Sequence, residues 1–320
     1  MMKMKKILFY ITGLVLMASC QHDVIYEVDY NVTLDEENTY YAGDPVRFNV
    51  TGDVDNIVFY SGETGHQYVY RDRFEVPLEA VSNAVLHLDI QARYGSAGAL
   101  EIYASKDFAG LSGTDGEADV AAVQAMIDGG MQGWTRLDYK DGASTVWTSH
   151  DFPMKDYLEN LSLAFHWCPK AADATQRTYW INGYISLEMD GVEPLKMGVL
   201  DMGLTTVMMN EELDPYHKNK GDGSIRFDNP NAAQVVFQGV GANKLTYALN
   251  GWVISTPAPL NKVSNDRGVA IKNLQNYMHS YEYTWDTPGT YKVTFVGRNE
   301  NYAASSEEVI EYTVTILERP

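Results

Sequence analysis

The strongest signal along the chain is a period of two. Val46-Arg47-Phe48-Asn49-Val50-Thr51 alternates apolar and polar residues, as do Leu86-His87-Leu88-Asp89-Ile90-Gln91, the run from Leu161 to Trp167, that from Tyr291 to Phe295 and that from Ile310 to Ile316. Successive strand side chains point to opposite faces, so each run sets one face on a core and the other in water, as antiparallel strands do. Turn signals separate the runs: Gly43-Asp44-Pro45, Gly52-Asp53, Tyr94-Gly95, Asp141-Gly142, Asn182-Gly183, Asp190-Gly191, Asn250-Gly251 and Pro288-Gly289. One segment departs from this pattern. Between Ala118 and Ile127, Val120, Val123 and Met126/Ile127 fall at helical spacing, with Asp115, Glu117 and Asp119 at the start and Gly129-Gly130 at the end. The pattern predicts an all-β protein of tandem β-sandwiches with one short helix near 118–128, and it lacks the βα alternation of a doubly wound fold.

A chain of 320 residues exceeds one core. Composition suggests a leader over 1–19, a tether over 20–38, and β sections over 39–83, 84–192 and 193–320. In a second arrangement the first and third sections share one sheet around an inserted middle. Net charge is −19, with 43 acidic against 24 basic side chains. Such a chain offers no basic stripe for nucleic acid and no basic patch for an anionic membrane surface. Two cysteines exclude a disulfide scaffold and a four-cysteine zinc site.

The first residues suggest a compartment. Lys3, Lys5 and Lys6 form a positive region, Ile7 to Met17 a short apolar one, and Leu16-Met17-Ala18-Ser19-Cys20 follows. Eleven residues are too few to span the hydrocarbon, so the segment reads as a signal peptide. Its end resembles the lipobox of bacterial lipoproteins, with Met17 where that family usually has Leu. The resemblance implies cleavage before Cys20 and acylation of Cys20, giving a membrane anchor. Cleavage would take the net charge to −22. Cys168 would then be a free thiol, read as a small buried hydrophobe.

Ser280-Tyr281-Glu282-Tyr283-Thr284-Trp285 followed by Pro288-Gly289-Thr290-Tyr291 and an alternating strand resembles the closing strands of PKD-type immunoglobulin-like domains. Pro288 would preset the turn, Gly289 take its left-handed corner and Tyr291 pack back across it. Gly43 to Phe48, followed by Ile57 to Gly62, resembles the opening half of such a domain. Leu100 to Phe108 and Arg177 to Ser186 resemble jelly-roll modules of the cleaved-adhesin and galactose-binding type. The arrangement as a whole resembles Bacteroidetes surface lipoproteins built around a domain of unknown function, of the kind found beside SusC/SusD-type glycan importers. It implies an outer-membrane, exterior-facing location and a glycan context, and carries over no catalytic residue.

Catalytic motifs find no support. The seven histidines form neither H-E-x-x-H nor His-x-His, and His87 and His166 fall on polar strand faces, where exposure is expected. Gly95-Ser96-Ala97-Gly98 is one residue short of a nucleophile elbow. Glu211-Glu212-Leu213-Asp214, beside Tyr216 and His217, is the acid cluster to examine for a glycosidase pair, with a solvated loop as its plain reading. No cofactor is expected. A structural calcium in the oxygen-rich loop Ser112 to Glu117 is the one metal considered.

Aromatic residues carry the functional expectation. Trp and Tyr rings stack on the flat faces of sugars while keeping a polar edge wet. Trp134, Trp147 and one of the adjacent pair Tyr179 and Trp180 are the expected ligand-facing residues, whereas Trp167 shares a face with Leu161, Leu163 and Phe165 and is expected in the core. The first functional reading is a non-catalytic surface lipoprotein that binds glycan as an accessory of polysaccharide uptake. A structural spacer or adhesin binding a protein partner is the second and a lipid-anchored glycoside hydrolase the third. An exposed aromatic row on one sheet face separates the first from the second.

Overall fold

The computed structural model describes residues 26–34, 39–95, 97–169, 177–216, 224–226, 234–241 and 248–320. Among the described residues the protein is all-β with one short α-helix. It divides into two compact units, residues 1–73 with 264–320, and residues 74–263. The expected section limits therefore differ from the units. The limit at 83/84 falls inside the strand Val81–Arg93 and that at 192/193 inside Val192–Gly198. Residues 193–320 contribute to both units, so the sandwiches are nested in sequence rather than strung one after another.

In the first unit, Asp29–Leu34, Pro45–Asp53 and Ser280–Thr284 form a three-stranded sheet. Val269–Lys272, Asn56–Tyr60, Gly289–Glu300, Ser305–Leu317 and Tyr40–Tyr41 form a five-stranded one. The alternation read from sequence becomes the core: Val46, Phe48 and Val50 meet Ile57, Phe59, Val293 and Phe295 around the fully buried Trp285. Trp285 Nε1 donates to Ser61 O at 3.2 Å, and its ring stacks on Tyr291 at 5.5 Å. Tyr291 closes the turn by donating to Thr287 O at 2.7 Å. Gly289 does not take the left-handed corner expected of it. A Cβ there would lie in tight contact, 3.2 Å from the Tyr291 ring.

In the second unit, one sheet runs in the order Ser224–Arg226, Val235–Gln238, Thr178–Met189, Val81–Arg93, Trp147–Pro153, with Val192–Gly198 also paired to Thr178–Met189. The facing sheet runs Leu204–Met208, Gly251–Ser255, Ser162–Trp167, Leu100–Ser105, Trp134–Arg136. Leu86, Leu88, Ile90, Ile102, Leu163, Phe165 and Trp167 fill the space between. Asn182-Gly183 is not a turn; it lies in the middle of Thr178–Met189. A Cβ on Gly183 would come within 2.5 Å of Leu88 Cδ2, so the glycine admits a core leucine.

The helix α1, Gly116–Asp128, lies on the outer side of the facing sheet. Val123, with Val120, Met126 and Ile127, packs on Ala164, Val207, Trp252 and Ile254. Asp115 caps it by accepting from Ala118 N–H at 3.1 Å. Asp119 is 1 % exposed and accepts from Ser112 N–H (2.6 Å), Gly113 N–H (3.0 Å) and Tyr216 O–H (2.7 Å). Of the loop considered for calcium, Asp115 is engaged by the Ala118 N–H, and the Ser112 and Gly113 amides are engaged by Asp119.

One polar node sits inside the second unit. Arg177 and Asp141, each with a 7 % exposed side chain, form a 3.3 Å ion pair whose angle lies off the hydrogen-bond line. The Arg177 guanidinium also donates to Tyr94 O, Gly95 O and Gly142 O. Tyr179 O–H donates to Asp141 at 3.0 Å and accepts from Ala99 N–H at 3.1 Å. Burial, reinforced by the Asp141 charge, pushes the Tyr179 hydroxyl well above its usual range, so it stays a donor.

Two outcomes follow. Truncating one member of a buried pair strands the other charge, so Asp141→Ala should lower stability by about 3–5 kcal/mol. Tyr179→Phe takes a donor from the buried Asp141 carboxylate and an acceptor from Ala99 N–H and should cost about 1–3 kcal/mol, both read by urea unfolding followed through tryptophan fluorescence. Burial would raise the Asp119 carboxyl, but hydrogen bonds from Tyr216, Ser112 and Gly113 outweigh it and hold it below the usual aspartate range. Its contribution is therefore complete above the unfolded value of about 3.9 and is lost as pH falls through the lower folded value. Asp119→Asn should be less stable near neutrality and show a shallower loss of stability below about pH 4, measured by thermal melts across pH.

Candidate functional site

The six-stranded sheet of the second unit turns the even positions of Thr178–Met189 outward and the odd ones inward. Tyr179, Ile181, Ile185 and Leu187 are buried, while Trp180, Asn182, Tyr184 and Ser186 are half-buried on the outer face. Register then places residues from distant parts of the chain side by side. Trp147 pairs with Gln91 and Gln91 with Trp180, giving one row across three strands. The next rows are Ser149–Asp89–Asn182 and Asp151–His87–Tyr184, followed by Pro153–Val85–Ser186–Lys196. Trp147 and Trp180 are two strands apart, about 10 Å at the usual strand spacing.

The two rings differ in their surroundings. Trp147 opens the edge strand Trp147–Pro153 and is 40 % exposed. Trp180 has the Arg93 guanidinium over its ring at 4.0 Å. Arg93 Nε donates to Gln91 Oε1 at 2.5 Å, and Gln91 donates to Thr145 O at 2.8 Å. Trp180 Nε1 and Asn182 Oδ1 are buried without a hydrogen-bond partner among the described residues. Lower on the face, Tyr184 lies between the His87 ring at 4.7 Å and Lys196 Nζ at 4.8 Å.

His87, expected exposed, is instead fixed by Asp151 at 2.7 Å and Ser186 Oγ at 2.8 Å. Ser149 donates to Asp89 at 2.5 Å. The face thus combines flat aromatic surface with fixed donors and acceptors, the two requirements of a carbohydrate ligand.

The other expected ligand residues lie elsewhere. Tyr179 is fully buried in the node with Asp141 and does not share the face with Trp180. Trp134 belongs to the facing sheet, packs on Phe108 at 5.1 Å and lines a separate cleft of about 480 Å3 with Lys106, Asp107, Asp156 and Tyr157. Trp167 is fully buried, in the core as its alternation suggests. The alternation through Ile181 and Ile185 is the signal that puts Tyr184 beside Trp180, and no local pattern marks Arg93. Glu211, Glu212 and Asp214 are exposed in a turn where Asp214 accepts from Tyr216 N–H, and His217 lies outside the described residues. Cys20 also lies outside them.

The first unit holds a concave place of its own. A cavity of about 430 Å3 lies between Tyr60, Tyr68, Arg71, Lys272, Arg298 and Glu307. Arg298 is already bound to Glu307 there, and Arg71 covers the Tyr68 ring at 4.0 Å.

Among the described residues no helix is long and apolar enough to cross a membrane. Neither a curated protein nor a solved structure matches the chain. A family model described as a domain of unknown function (DUF5017) matches residues 19–125. The match runs from the first unit into the second and stops within α1. Over that third of its length, the chain is similar to DUF5017 proteins.

Proposed function

We propose that the protein binds glycan, without cleaving it, on the outer face of the six-stranded sheet. The observation that carries this reading is the row Trp147–Gln91–Trp180, with Tyr184 two rows away on the same face. Trp147 offers the open ring, and Arg93 on Trp180 offers a cation to an acidic or hydroxyl-rich sugar. Asp89 and Asp151 are each engaged by a neighbour, which favours holding a sugar over attacking one. The leader and Leu16-Met17-Ala18-Ser19-Cys20 support a lipid at Cys20 as membrane anchor, and the resemblance to proteins beside SusC/SusD-type importers supports an accessory role in polysaccharide uptake at the outer surface. The acidic balance argues against a nucleic-acid partner.

Affinity electrophoresis through plant, host and microbial polysaccharides tests the reading. Retardation by one of them is expected, weakened about tenfold or more by Trp147→Ala, the equivalent of about 1.4 kcal/mol. Trp134→Ala should leave it unchanged. Absence of retardation in every polysaccharide, or equal retardation of wild type and Trp147→Ala, would transfer the weight to a spacer or adhesin that binds protein. Product release from a retained polysaccharide would instead indicate the hydrolase. For the anchor, metabolic labelling with a fatty acid should mark the wild-type chain and leave Cys20→Ala unlabelled.

A further inference from the structure

The facing sheet carries a cluster unrelated to the aromatic row. Glu101, on Leu100–Ser105, lies directly across from His166, on Ser162–Trp167. Cys168 follows two residues after His166, its N–H held by Ala99 O. One ligand atom from each of the three side chains falls within 4.8 Å of the others, and all three residues are partly buried. His166 Nδ1 is 3.0 Å from Glu101 Oε2. Two ligands on one tetrahedral zinc ion, with bonds of about 2.0–2.1 Å, are roughly 3.3 Å apart, so the pair stands near the spacing that an ion would impose.

The surroundings fix which nitrogen is free. His166 Nε2 is 3.0 Å from Asn250 Oδ1, and the same oxygen accepts from Trp252 Nε1–H at 3.1 Å. Trp252 has only a donor there, so that atom is an acceptor and Nε2 carries the proton. In a neutral imidazole the Nδ1 lone pair then faces a carboxylate oxygen that can only accept, a mismatch that a cation between them removes. A metal-bound histidine donating its second N–H to an oxygen is the usual outer arrangement of such sites. Trp252 also fixes the ring plane, stacked on His166 at 4.0 Å and 9°.

Glu101 is oriented by Arg136 at 3.1 Å and Tyr103 O–H at 2.9 Å. Cys168 is not the small buried hydrophobe expected from sequence. It is half-buried. A cation coordinated there would take the place of the thiol proton.

We propose that Glu101, His166 and Cys168 bind a single borderline-soft divalent cation of the zinc class through one oxygen, one nitrogen and one sulfur. This mixed donor set disfavours calcium and magnesium, which take oxygen ligands. Three protein ligands leave a fourth position for water or an outside donor. The site stands apart from the glycan reading, on the other sheet of the second unit.

The test uses the untagged chain carrying Cys20→Ser, so that Cys168 is its single thiol, stripped of metal by chelation. Cobalt(II) serves as the probe and zinc as competitor. A thiolate-to-cobalt charge-transfer band should grow to one equivalent and vanish when zinc is added. Cys168→Ser should abolish the band with unchanged far-ultraviolet circular dichroism. His166→Gln, and Asn250→Ala which touches no metal, should each weaken binding about tenfold or more. Zinc should also slow alkylation of Cys168 in the wild-type background. A missing band together with an alkylation rate indifferent to zinc would overturn the proposal. Cobalt binding of equal strength in Cys168→Ser would overturn it as well.

Discussion

The buried contact between Arg177 and Asp141 sets the geometry of the second unit. A charge pair removed from water is stabilising only when its remaining donors and acceptors are also met. Here three backbone carbonyls and the Tyr179 hydroxyl meet most of that need, while Asp141 Oδ1 and Arg177 Nε have no hydrogen-bond partner among the described residues. Those partners lie at the entry to Thr178–Met189 and just before Trp147–Pro153, so the node fixes where both tryptophans of the outer row begin. Tyr179 and Trp180 are adjacent in sequence yet divide the work. One ring holds the sandwich together from within, and the other is carried on the outside as a consequence.

The two sheets of that unit have different outer faces for a simple reason. The facing sheet places Ala164, Val207, Trp252 and Ile254 outward, and α1 covers them. The six-stranded sheet places His87, Asp89, Asn182 and Tyr184 outward, residues that water tolerates. The apolar face is covered by the protein itself, while the polar and aromatic face remains available. The Glu101–His166 pair lies where these regimes meet, polar groups beside a buried aromatic, which is why they are ordered by neighbours rather than by solvent.

Much of this was legible in the chain. Alternation gave the strands, and three apolar positions at helical spacing gave α1 within two residues of its limits. It could also have resolved the pair at 179 and 180, because Ile181 and Ile185 share a face with Tyr179. What local pattern cannot carry is register between strands far apart in sequence. That Trp147 comes level with Gln91 and Trp180, or that Glu101 faces His166, depends on pairing across about 60 residues or more. The same limit explains Asn182-Gly183: a dipeptide that favours turns was kept extended because Leu88 needed the space that a glycine leaves.

The nested order of the two units bears on how the protein comes into being. Pro45–Asp53 receives Ser280–Thr284 as a neighbour only after all of 74–263 has passed, and the indole that fills the first core, Trp285, arrives with that late strand. During vectorial emergence the second unit can complete itself while the opening strands still wait with a bare edge. A nascent chain interrupted between Val263 and Ser280 would therefore present a finished second unit and an unfinished first one. Loss of the strands that follow Val263 would be felt first at Pro45–Asp53, more than two hundred residues earlier in the chain.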